Sequence, residues 1–497
     1  MGQTPQQENK GYRFTVQQDE WRDPHSAAYL KDAHALGLAA IRQITCSDLY
    51  FIQGDLSPSQ LQQLADQILH DPVTQTIQWR AISALSDNPE GSQPGSCLVE
   101  VALRPGVSDP VAEQILRAAH TLEFHNINAA STGQRFVIKV EELTPKDLDR
   151  LAVRLLCNPV IQHYALGEIM PSFPTPAEPK TPNGVRKPHS QVEIILIRDL
   201  NYAQLQQLSL KRRAALDLAE MQAIRAYFQA EGREMSDVEY EMIAQTWSEH
   251  CCHKTFKAHI TLEGQVPSFI DNLFKHTIQA ATSQIKAPWV RSVFSDNAGI
   301  IDFDGANEIS FKVETHNHPS AIEPFGGANT GTGGVIRDVI GVSARPIAAT
   351  DVLCFGPAKT SFADLPEGVL HPRRIASGVV AGIQDYGNKI GIPTVSGAVL
   401  YDPGYISNPL VFCGCVGIAP TGAHPRQAQA GDHIIVIGGR TGRDGLRGAT
   451  FSSMTMDAQT GEVAGASVQI GEPIVEKGLI DVILIASDRR LYHAITD

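Results

Sequence analysis

No run of apolar residues in this chain approaches membrane-spanning length, and the first ten residues, Met1 to Lys10, hold no apolar signal segment. A myristoyl anchor is excluded as well, because Gln6 stands where that motif needs Ser or Thr. Both absences lead to the expectation of a cytoplasmic protein with no membrane partner. Positive charge is scarce: 41 Lys and Arg face 54 Asp and Glu, a formal net charge of −13, and no basic stripe is interleaved with aromatics, so no nucleic-acid partner is expected. The eight cysteines are scattered except at Cys251-Cys252 and Cys413-Gly414-Cys415, which suits a reducing compartment. Two nucleotide signatures are missing. Without GxxxxGK[ST], or a strict GxGxxG after a strand, neither a Walker ATPase nor a Rossmann dehydrogenase is supported.

What the chain does have is alternation. Lys312-Val313-Glu314-Thr315-His316-Asn317-His318 reads at period two, which puts a cation, a carboxylate and two imidazoles on one face of a strand. Ile309, Phe311 and Val313 supply the opposite, buried side, and Pro319 stops the ladder. Solvated edges also alternate, but they carry Lys, Glu and Thr; two histidines beside a carboxylate point to a site for an anion and a metal. Residues 325–338 follow at once and read as a loop too glycine-rich to pack by side chains, suited to bringing backbone N–H groups close to phosphate. Its last two residues offer a guanidinium for phosphate, Arg337, and a hard oxygen ligand for Mg2+, Asp338.

A helix opens at the capping box Ser236-Asp237-Val238-Glu239, with Tyr240, Ile243 and Trp247 spaced to face a core. Run on to Lys254, it places His250 and His253 one turn apart near its C-terminal end, where the macrodipole favours a protonated imidazole. His250-Cys251-Cys252-His253 invites a zinc reading. Zinc sites gather C-x2-C with a second distant pair, however, and adjacent helical cysteines diverge, so catalysis ranks ahead of structural zinc.

At 497 residues the chain has room for about three or four domains. The first third repeats: Leu56-Ser57-Pro58 through Asp71-Pro72-Val73 matches Leu143-Thr144-Pro145 through Asn158-Pro159-Val160, and Asp23-Pro24 matches Asp109-Pro110. Each copy reads strand, helix, strand, capped helix, which makes one duplicated α+β domain. Prolines crowd residues 171–188, an extended linker. Val192 to Ile197 is a strand candidate, residues 203–231 form amphipathic helices, and another strand starts at His433 to Ile437, running into a second glycine-rich turn at 438–445.

These residues carry a resemblance. Gln245 to Cys251, Lys312 to His318, Pro319 to Phe325, Gly331 to Asp338 and Gly439 to Phe451 stand in the order found in phosphoribosylformylglycinamidine synthase, the ATP-dependent glutamine amidotransferase of purine biosynthesis. The duplicated domain resembles two fused copies of that enzyme's small accessory subunit. The fold implied is a multidomain α+β and α/β chain ending in an aminoimidazole-ribonucleotide-synthetase-like ATP-binding domain and a truncated second domain. By segment this gives a tail at 1–11 and a duplicated domain at 12–170, with repeats at 12–83 and 97–170. A proline-rich linker at 171–190, a helical linker domain at 191–232, a synthetase N-terminal-like domain at 233–428 and a truncated C-terminal-like domain at 429–497 follow.

The resemblance implies conversion of formylglycinamide ribonucleotide to the amidine, with ATP phosphorylating the formamide oxygen and glutamine-derived ammonia displacing phosphate. It implies His250 and His316 as catalytic imidazoles, His253 and Lys312 as ATP contacts, and Glu314, Asp338 and Asp497 as Mg2+ ligands. Substrate contacts would come from Thr315, His316, Asn317, His318, Arg337 and Gln469. His253 stands where shorter family members carry tyrosine, and Asp497 is the last residue, where the family continues. A missing C-terminal synthetase half and a glutaminase domain or subunit are therefore expected partners, since no cysteine lies in a nucleophile elbow with a triad. The alternative is an inactive or partial chain that binds nucleotide or subunits of that complex. Related synthetases and kinases share the architecture but not the Ser248-Glu249-His250-Cys251 and Thr315-His316-Asn317-His318 segments.

Overall fold

Each of the first four helices begins with proline behind a residue whose side chain caps it, and this shared start makes the duplication visible in three dimensions. The structure, a computed structural model, describes residues 10–19, 23–82, 95–105, 107–141, 143–159, 161–173, 192–264, 269–439, 445–458, 460 and 467–497. Nearly all of the expected tail, most of the proline-rich linker and the middle of the second glycine-rich turn lie outside these residues. Two units result, Met1–Lys187 with Ser361–Asp364, and Pro188–Thr360 with Leu365–Asp497.

In the first unit, β1 (Gly11–Gln18), α1 (Pro24–Ala35), β2 (Ile41–Gly54), α2 (Pro58–Leu64) and β3 (Gln75–Ala81) form one copy. The second is β4 (Ser96–Leu103), α3 (Pro110–Thr121), β5 (Ile127–Val140), α4 (Pro145–Leu151) and β6 (Gln162–Ala165). Asp23 and Asp109 cap α1 and α3, while Ser57 and Thr144 cap α2 and α4. The strand order β3-β1-β2-β5-β4-β6 is a palindrome once the copies are equated, with β2 and β5 antiparallel at its centre and Ser47 opposite Arg135. Neither copy keeps a core to itself. One cluster joins Phe14, Leu61 and Leu64 to Ile115 and Ala119; the other joins Ile41 and Ile44 to Phe136, Ile138 and Leu151. Glu100, fully buried, accepts from Arg13 Nη1 at 3.0 Å, Arg135 Nη1 at 3.1 Å and the Ile169 N–H at 2.8 Å.

The second unit opens with β7 (Ile194–Ile195), α5 (Tyr202–Arg212), α6 (Leu218–Glu231) and β8 (Met235–Ser236). The strand expected over 192–197 shrinks to two residues because only the short β8 pairs with it. Then come α7 (Asp237–Thr246), α8 (Glu249–Cys252), α9 (Lys254–Lys257), the paired strands β9 (His259–Thr261) and β10 (Phe269–Asp271), and α10 (Ala280–Ile285). A six-stranded sheet follows in the order β11-β12-β13-β16-β14-β15. Its strands are β11 (Val290–Ser292), β12 (Gly299–Asp302), β13 (Asn307–Thr315), β14 (Arg345–Phe355), β15 (Thr394–Tyr401) and β16 (Leu410–Pro420). Helices α11 (Asn317–Ile322) and α12 (Pro324–Gly341) follow β13, and α13 (Pro372–Ile390) crosses from β14 to the parallel β15. The last helices are α14 (Gly448–Ser452) and α15 (Pro473–Asp488).

Two expectations are overturned. The glycine-rich 325–338 is no loop: it forms most of α12, nearly all buried. Glycine there lets neighbours close in: a Cβ on Gly327 would stand 2.5 Å from the Ser320 backbone nitrogen, one on Gly331 2.9 Å from His316 Cβ, and one on Gly382 of α13 2.4 Å from the Phe325 carbonyl oxygen. The strand expected at 433–437 is irregular, with Ile434 98% and Val436 95% exposed, because no described strand offers it a ladder. No helix of the described residues is long and apolar enough to cross a membrane.

Candidate active site

The polar row of β13 does not run on to His318. The strand ends at Thr315, His316 stands at the N-cap position of α11 with no cap bond from its side chain, and Pro319 falls in that helix's first turn, where a missing N–H is harmless. The buried face is also the reverse of the one expected: Glu308 and Ser310 are buried while Phe311 is 45% exposed, because α12 packs on the polar row. That packing brings Lys312 Nζ to 2.8 Å from Asp338 Oδ2 and 3.5 Å from Glu314 Oε2. Burial works against the charge on Lys312, but Asp338 and then Glu314 outweigh it, and its pKa is raised. Asn297 donates to Asp338 Oδ1 at 3.1 Å.

His250 Nε2 reaches Glu314 Oε1 at 3.8 Å, but by a different local route. The helix from Ser236 ends after Thr246. Ser248 then donates to the Gln245 carbonyl at 2.7 Å and accepts from Cys251 N, starting α8. His253 follows as its C-cap with φ +54°, exposed, so the two imidazoles do not share one helix turn. His316 is half-buried. Loss of water, with the nearby charges of His250 and Arg337 adding to it against a backbone hydrogen bond at Gly327, pushes its pKa down to about 4. Its Nδ1 has no hydrogen-bond partner among the described residues.

The remaining expected contacts divide. Thr315 lies exposed at the strand end. Asn317 Oδ1 accepts from Val411 N at 2.8 Å, and His318 Nε2 meets the Met454 carbonyl at 3.1 Å while its ring packs edge-on to Phe451, so both side chains brace the fold. Gln469 is held by its carbonyl, which accepts from Thr330 at 2.7 Å, leaving its side chain exposed. Arg337 Nε donates to Asp497 Oδ1 at 3.0 Å, and its Nη1 faces Glu476 Oε2 at 3.5 Å. Among the described residues no three His, Cys, Asp or Glu side chains stand close enough to hold a metal. Glu314 and Asp338 converge on Lys312, whereas Asp497 is held apart by Arg337.

Glu476, Tyr386 and Asn297 were not anticipated. Only Glu476 left a signal: an acid in step with the apolar residues Ile480, Ile483 and Leu484 of α15.

Residues 295–419 match the family described as AIR synthase related protein, N-terminal domain, a stretch that holds β12 to β15, nearly all of β16 and helices α11 to α13. Residues 205–254 match the formylglycinamide ribonucleotide amidotransferase linker domain, and residues 96–167, the second copy, match the PurS family, phosphoribosylformylglycinamidine (FGAM) synthase. Over part of its length the chain is similar to phosphoribosylformylglycinamidine synthase subunit PurL. It is 41% identical over 305 residues to PurL of Thermoplasma acidophilum, covering 61% of this chain and 37% of that protein. With PurL of Moorella thermoacetica it shares 41% identity over 275 residues, 55% of this chain and 33% of the other. Among solved structures it is similar to T. maritima PurL complexed with FGAR, at 33% identity and a TM-score of 0.41, over 54% of this chain and 38% of that one. The chain spans just over a third of the length of the Thermoplasma PurL relatives.

Proposed function

We propose that this chain carries the synthetase chemistry of purine biosynthesis: ATP phosphorylates the formamide oxygen of formylglycinamide ribonucleotide, and ammonia then displaces phosphate to give the amidine. The observation that carries this reading is the convergence of Lys312, Glu314 and His250 beside the Arg337-Asp338 end of α12, with a half-buried His316 of lowered pKa near them. Lys312, with its charge reinforced, suits a transferring phosphoryl group. His253 would join it on ATP. Thr315, Arg337 and the Gln469 side chain, all at the accessible edge, would take the substrate.

Neutral His316 can accept a proton as ammonia attacks. Mg2+ fits the donor set, because it is usually held by one or two carboxylates plus substrate phosphates, and Glu314 and Asp338 already face one cation. Asp497 would join them only by leaving Arg337. Once bound, the ion neutralises phosphate charge. We place the reaction in the cytoplasm, with a glutaminase subunit and a further synthetase segment as partners.

The test is amidine formation by the full chain with Mg-ATP, substrate and ammonia, read as product mass and ADP release. His316→Ala should lower turnover by roughly 10²–10⁴-fold with folding intact. Near-normal turnover in that variant would remove His316 from the chemistry. The exposed run Ile434 to Ile437 favours a second reading, a nucleotide- or subunit-binding component; ATP binding without turnover in any added complement is its signature.

A further inference from the structure

Helix α15 buries Pro473, Ile480, Ile483 and Leu484, and on the same face it buries a carboxylate, Glu476, only 5% exposed. A lone buried acid is unfavourable unless its surroundings compensate it. Here the compensation is partial. Glu476 Oε2 accepts from the Tyr386 hydroxyl and faces Arg337 Nη1, while the buried Oε1 has no partner among the described residues. Tyr386 reaches this point only because α12 has glycine at 333, where a Cβ would stand 2.3 Å from the tyrosine oxygen. Arg337 lies one turn further along the same helix. Glycine thus admits the hydroxyl, the hydroxyl fixes the carboxylate, and the carboxylate faces the guanidinium.

We infer that Glu476 and Tyr386 are positioning residues that orient Arg337 toward the anionic substrate. The inference rests on the proposed reading of Arg337 as a substrate contact. Charged and titratable groups facing Glu476 are Arg337 on α12, Tyr386 on α13, Cys415 on β16 and Asp497. Burial, against the pull of Arg337 and Tyr386, pushes Glu476 up to about 7, so its charge is gained near neutral pH. Affinity should therefore tighten as pH rises through that value.

Calorimetric titration of the full chain with formylglycinamide ribonucleotide at about pH 6 and about pH 8 tests this against Glu476→Gln and Tyr386→Phe. The substrate phosphate also titrates near pH 6, so each variant is compared with the wild type. Glu476→Gln should bind about tenfold more weakly at the higher pH and lose the pH-dependent step assigned to the carboxyl. Tyr386→Phe should move that step to higher pH, because the hydroxyl normally favours the carboxylate. A Glu476→Gln profile parallel to the wild type overturns the inference. If the wild type binds no substrate, the synthetase reading fails separately. Positioning is then judged by a double-mutant cycle in urea unfolding, where Glu476→Gln and Arg337→Met must be non-additive; additivity overturns it.

Discussion

His316 owes its lowered pKa to loss of water where its side chain packs beside the glycines of α12. Its pKa falls from an ordinary 6.5 to about 4, so between those values the folded chain binds fewer protons than the unfolded chain. Stability from this residue is fully present above the upper value and is lost as pH falls through the window, by about 3 kcal/mol in all. Urea unfolding of the second unit across that range should lose much of its acid sensitivity in His316→Asn. An unchanged slope would assign the acid loss to other groups. The residue types around His316 were legible in the sequence because cation, carboxylate and imidazole recur at period two. Their roles were not. Asn317 and His318 read as substrate contacts by resemblance, and no local pattern announces that Asn317 also accepts from Val411 N or that His318 packs on Phe451.

At the scale of elements, α12 shows why composition misleads. Helices are read from apolar side chains recurring every three or four positions, but α12 packs largely by backbone contact, so its glycines mimic a loop. Gly331→Ala should gain about 1 kcal/mol of helix propensity yet lose roughly 1–3 kcal/mol by overpacking against His316. The net expectation is destabilisation of the second unit together with impaired substrate binding, seen by denaturant unfolding and calorimetry. In the first unit, cap and proline spacing made the duplication readable, whereas the pairing of Arg13, Glu100 and Arg135 was not, because no local pattern announces a contact between strands 87 residues apart. Glu100→Ala leaves two buried guanidinium groups short of their carboxylate and should destabilise that unit by about 3–5 kcal/mol.

The whole chain holds two units, each with its own hydrophobic clusters. The first unit's two principal clusters both draw on both copies, so that unit should melt as one cooperative body and not copy by copy. The second depends on the packing of α12 and α13 against their sheet. Denaturant unfolding of the full chain should accordingly resolve two transitions, and the substitutions identify them. Glu100→Ala should move only the transition of the first unit, and Gly331→Ala only that of the second. Hydrogen exchange read by mass spectrometry assigns each transition to its peptides. Protection should be strong in β2, β5 and α12, and weak at Ile434 to Ile437, whose backbone has no ladder to join among the described residues. A single transition shifted equally by both substitutions would mean that the two units fold as one, and that a change in the duplicated domain is felt directly at Lys312 and His316.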